Sequence, residues 1–130
     1  MNLRGVVPNP SFLTVPTRVV RAEIALVVVT KALDGATTLA VIARPGLFES
    51  VPFTRALTDG LGPLAGVGVA TVVGIAALIA VAELGKRFCD AVHGMLGTES
   101  PYPCIAQHVT YLLSSSLFAY AFVRNVSLLL

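Results

Sequence analysis

Charge is what this chain has least of. Asp, Glu, Lys and Arg make up 12% of its 130 residues while 55% are hydrophobic, and mean hydropathy is +0.84; soluble domains carry roughly twice that share of charge. Water is therefore not expected to be its main solvent. A formal net charge of +2 is small and scattered, which sets nucleic acid aside, since its recognition needs Lys and Arg clustered on one face. The length allows one domain, over 1–130. A spanning helix uses about 20 residues, so three spans and their connections leave no room for a separate catalytic domain. There is also no nucleophile constellation, no phosphate-binding glycine loop, no cofactor motif and no internal repeat. The chain is not expected to be an enzyme.

What is present is apolar sequence in three long runs. Ahead of them, Pro8, Pro10 and Pro16 interrupt the basic, apolar and small-residue order of a cleavable signal peptide, so the first run is expected to act as its own insertion signal. That span is expected over about 17–43, from an N-cap near Thr17 to Arg44-Pro45-Gly46. The connection from Gly46 to Gly62 contains Val51-Pro-Phe-Thr-Arg-Ala-Leu-Thr, enough for two turns of an interfacial helix. The second span, about 63–93, has no charge until Glu83 and no breaker until Gly94 apart from Gly85. The third covers about 104–129, with Tyr111 and Tyr120 suited to the interfaces. These runs predict an all-α integral membrane protein with three transmembrane helices. Arg4, Arg18, Arg21, Lys86 and Arg87 fall on one side and Arg44, Arg55 and Arg124 on the other, favouring the amino terminus inside and the carboxyl terminus outside.

The most specific pattern joins the two cysteines to the two histidines. Cys89-Asp-Ala-Val-His93 and Cys104-Ile-Ala-Gln-His108 each place a thiol and an imidazole four residues apart, on one helix face. One pair closes the second span and the other opens the third. A tight hairpin would gather Cys89, His93, Cys104 and His108 as the Cys₂His₂ set of a closed structural zinc site. Two buried cysteines with interfacial histidines, or a Cys89 to Cys104 disulfide, account for the same residues. The disulfide is disfavoured in a reducing compartment.

A second pattern is the polar stripe of the first span: Glu23, Lys31, Asp34, Thr37 and Thr38. Lys31 and Asp34 stand at i and i+3 and are expected to pair, which lowers the cost of charge in lipid. Intramembrane ionisable groups raise the hypothesis of an ion or proton path, here through Lys31, Asp34 and Glu83; the plainer reading is a self-paired face buried against Glu83, the serines or another subunit. Gly66, Ala70 and Gly74 recur every four residues and permit close helix approach. Ser114, Ser115 and Ser116 are candidates for hydrogen bonds across helices.

Lys31-Ala-Leu-Asp34-Gly-Ala-Thr37-Thr38, followed by Glu49-Ser-Val-Pro52 and a Gly-rich apolar span, resembles a family of small archaeal and bacterial membrane proteins of unknown function. That family's pattern is an Asp-x-x-Thr-Thr helix and a Glu-x-Asn-Pro connection. The likeness covers about residues 25 to 85, departs from the pattern at Val51 and does not include the Cys-His pairs. It implies a helical membrane fold and no activity. The expected role is therefore a structural or accessory subunit without catalysis, partnered by other membrane subunits, copies of itself and lipid. Its setting would be a cell-membrane complex or a virion membrane. The alternative is an oligomeric ion or proton transporter using the charged face of the first helix.

Overall fold

The computed structural model describes the backbone of residues 17–97 and 102–130, and the side chains of 18–97 and 105–130. Among the described residues four helices follow one another: α1 (Thr17–Ile42), α2 (Pro52–Leu61), α3 (Pro63–Leu96) and α4 (Tyr102–Leu129). No strand occurs among the described residues. Three of the helices, α1, α3 and α4, are long and apolar enough to cross a membrane. Hydrocarbon offers backbone groups no hydrogen-bond partner, and a helix satisfies them within one segment. The chain is an all-α membrane protein.

Contacts fix how the helices run. Glu23 near the start of α1 meets His108 near the start of α4, and Asp34 meets Asn125 further along both, so α1 and α4 are parallel. Beyond α1, Arg44 donates to the carbonyls of Leu128 and Leu129. These belong to the last turn of α4, where carbonyls lack partners within the helix and a cation is favoured. α3 runs the other way, with its early Thr71 against Gly35 and its later Gly74 against Lys31.

α2 is amphipathic, begins on Pro52 and buries no side chain, as suits a helix lying along the membrane surface. Gly62, at φ 83°, turns the chain from α2 into α3, and its N–H closes α2 on Thr58 O at 2.9 Å. The fold-back is close. A β-carbon on Gly66 would lie 2.5 Å from both the N and Cα atoms of Thr58, a clash with backbone that no rotamer relieves. Gly66→Ala should therefore push α2 off α3 at a cost of about 1–3 kcal/mol. The expected readout is faster proteolysis across residues 47–62 with α1, α3 and α4 intact; unchanged cleavage would contradict the close packing. Gly66, Ala70 and Gly74 thus face elements of their own chain: Gly66 meets α2, Ala70 is buried, and Gly74 faces the Lys31 stem.

With 34 residues, α3 is about 50 Å long at 1.5 Å per residue, against a hydrocarbon layer of about 30 Å. Its excess lies at the charged end, where Lys86 and Asp90 pair at 2.8 Å. The helix passes through Gly94 and stops at Gly97, which adopts the left-handed conformation at φ 64°. A glycine inside a helix costs only about 1 kcal/mol, whereas a left-handed glycine caps one, so Gly94 is not the breaker its type suggested.

The core joins all three long helices: Val27 from α1, Ala82 from α3 and Tyr111 from α4, flanked by Val20, Ile24, Leu78, Ile79 and Phe118. Tyr111 is fully buried while Tyr120 is exposed. Tyr111 is packed between the helices, where the half-buried Glu83 takes its hydroxyl proton in a hydrogen bond.

Candidate functional site: two polar clusters between the helices

The polar residues of the spans gather into two clusters separated by the Val27–Ala82–Tyr111 core. One centres on the Lys31–Asp34 pair. Its ammonium and Asp34 Oδ2 are 2.6 Å apart, and both side chains are largely buried. Neutralising each other is what makes the two charges tolerable in a span. The Lys31 ammonium also stands 4.8 Å from the centre of the Phe118 ring, a favourable cation–π placement. Across the helix boundary, Asn125 Nδ2 lies 3.4 Å from Asp34 Oδ1, 3.3 Å from Thr37 Oγ1 and 3.1 Å from Thr38 Oγ1. Thr37 turns its own hydroxyl proton back to the carbonyls of Leu33 and Asp34. Beside this cluster, Gly35 lets α3 approach, since a β-carbon there would sit 2.7 Å from Thr71 Oγ1.

A cavity of about 360 Å³ opens onto this cluster. Lys31, Asp34, Thr38 and Asn125 line it, with Glu49 and Arg124 adding a second pair of opposite charges. The connection at 48–51 forms part of its wall, and Glu49 is fixed there by accepting the Val51 N–H at 2.8 Å.

The other cluster lies toward the opposite end of the bundle. Glu83 accepts from the Gln107 amide and from the Tyr111 hydroxyl, the latter at 2.8 Å. Glu23, only 5% exposed, faces the His108 ring as an ion pair when that ring is protonated. Lys31 and Asp34 are thus brought together, whereas Glu83 belongs to the other cluster. Gln107 and Asn125 complete the two sites. Their signal in the sequence is an amide inside an apolar run, expensive in lipid unless a partner waits on another helix. Of the serines, Ser116 bonds back to Leu112 O, and Ser115 is buried without a hydrogen-bond partner among the described residues.

Of Cys89, His93, Cys104 and His108, three have described side chains. His108 is turned toward Glu23, Cys89 is a partly buried free thiol, and the side chain of Cys104 lies outside the described residues. Among the described residues, no three of His, Cys, Asp and Glu are grouped to hold a metal ion.

Fold and interior together define a small helical membrane protein with two polar clusters between its spans. No family model, curated protein or solved structure matches the chain. The likeness of residues 25–85 to the Asp-x-x-Thr-Thr family accordingly remains one of residue pattern.

Proposed function

We propose that the chain is a structural or accessory subunit of a larger membrane-embedded assembly, in a cell membrane or a virion membrane, and has no catalysis of its own. One observation carries this reading. Polar side chains from different helices partner one another across α1, α3 and α4, while the outward faces carry large apolar groups such as Val29, Leu64, Val72, Val81, Leu113 and Leu117. Polar contacts of this kind hold spans in register, and the apolar exterior suits lipid and the flanks of neighbouring subunits. Native electrophoresis and crosslinking after mild extraction from the source membrane test it. An assembly larger than one chain is expected; a monomer under all mild conditions would overturn the reading.

A second reading, an oligomeric ion or proton transporter, is favoured by the cavity that reaches the Lys31–Asp34 pair. Flux through reconstituted vesicles, lost in Asp34→Asn, is its signature.

A zinc staple through Cys89, His93, Cys104 and His108 is a separate proposal. It requires His108 to leave Glu23 for the metal. Elemental mass spectrometry tests it: zinc in the wild type that disappears in both Cys89→Ser and Cys104→Ser supports it, and a metal-free wild type removes it.

A further inference from the structure

We propose that Asp34, Thr37, Thr38 and Asn125 form a binding site for a monovalent alkali cation, which competes with the Lys31 ammonium for the Asp34 carboxylate. The proposal starts from an imbalance of donors and acceptors. The Asn125 amide nitrogen stands among three oxygens, Asp34 Oδ1, Thr37 Oγ1 and Thr38 Oγ1, at 3.4, 3.3 and 3.1 Å. An amide has two N–H hydrogens, so at most two of those oxygens are properly served, and the distances to Asp34 and Thr37 lie beyond the range of about 2.7–3.2 Å of ordinary N–H···O bonds. Thr37 spends its hydroxyl proton on its own helix, so its lone pairs are what it offers to the cluster.

Rotating the Asn125 amide by half a turn exchanges nitrogen for oxygen at nearly the same place. Four oxygens then converge from α1 and α4: one carboxylate, two hydroxyls and one amide carbonyl. Such a set is repulsive when empty and favourable around a cation. Its charge is that of one carboxylate, which matches a monovalent ion. Calcium sites commonly draw on several carboxylates, and this set holds one.

Lys31 determines when the site is available. Its ammonium occupies Asp34 Oδ2 at 2.6 Å, and two cations on one carboxylate repel strongly where the dielectric is low. Entry of the ion therefore displaces the ammonium. The cavity gives each a route: Asp34, Thr38 and Asn125 line it and admit the ion, while Glu49 lines the same space and offers the released ammonium a carboxylate. Binding does not require the chain to move ions, so the site stands apart from both functional readings above.

Equilibrium dialysis with radioactive sodium or rubidium, beside thermal unfolding in detergent at constant ionic strength, tests the site on the full chain. Sodium, potassium and choline chloride are compared. Saturable binding, and stabilisation by sodium or potassium over choline, are expected in the wild type. Lys31→Met removes the competitor and should lower the half-saturating concentration on the order of tenfold. Thr38→Val, which keeps the carboxylate, should weaken binding of the ion. Equal stabilisation by choline and the alkali cations in both wild type and Lys31→Met, with no saturable isotope binding, would overturn the proposal. If Lys31→Met does not fold, isotope binding by the wild type beside Thr38→Val decides alone.

Discussion

Asp34→Leu should destabilise the bundle by about 3–5 kcal/mol, because it leaves the Lys31 ammonium without its carboxylate inside a span. The effect is large because the Lys31 and Asp34 side chains are only 19% and 11% exposed, so water screens little of the loss. Asn125 would also lose one of its three acceptors. Some relief is available: a lysine stem is long enough to carry its head toward water, and the cavity gives Lys31 a direction in which to move. The variant is thus expected to fold, less stably, with the lysine turned outward. Lys31→Met/Asp34→Leu should recover most of the loss, since replacing both members of a buried pair by apolar groups is often close to neutral. Unfolding of the purified chain in detergent and denaturant mixtures measures both. If the double variant is as unstable as Asp34→Leu alone, the pair is not the source of the loss.

This pair also marks how much of the site was legible in the sequence. A Lys and an Asp at i and i+3 within an apolar run carry their own explanation, because the helix brings them together and lipid penalises them apart. The three long helices were legible for a similar reason, as length and hydropathy act locally. What could not be read is whatever depends on how helices face one another. Glu83 was grouped with Lys31 and Asp34 as an intramembrane acid, yet α3 runs antiparallel to α1 and delivers it to Gln107 and Tyr111. Asn125 and Gln107 gave only the signal of an amide in an apolar segment, with no indication of partner. The Cys89–His93 and Cys104–His108 spacings are regular within their helices, but a shared metal depends on how α3 and α4 face each other. His108 is turned to Glu23, eighty-five positions earlier in the chain, a contact that spacing within α4 does not announce.

Tyr111→Ala is the second substitution expected to cost most, about 3 kcal/mol. Tyr111 is 0% exposed and fills the junction with Val27 and Ala82, so truncation opens a cavity where all three long helices meet. Truncating a large aromatic in a soluble core costs about 3–5 kcal/mol. The lower end applies here because lipid is as apolar as the core, so what is lost is packing more than transfer from water. Tyr111→Phe keeps the ring and removes only the hydroxyl bond to Glu83 Oε1. Hydrogen bonds between membrane helices average about 0.6 kcal/mol, while leaving the half-buried Glu83 carboxylate short of a donor raises the cost toward about 1 kcal/mol. Gln107 still donates to Glu83, which limits the damage. The expected order of stability is therefore wild type, then Phe, then Ala, read from unfolding in the same detergent mixtures. An equal loss in both variants would place the stabilisation in the hydroxyl and its carboxylate. In that case α3 and α4 are joined by the polar contact, and the ring is filling space that lipid could fill as well.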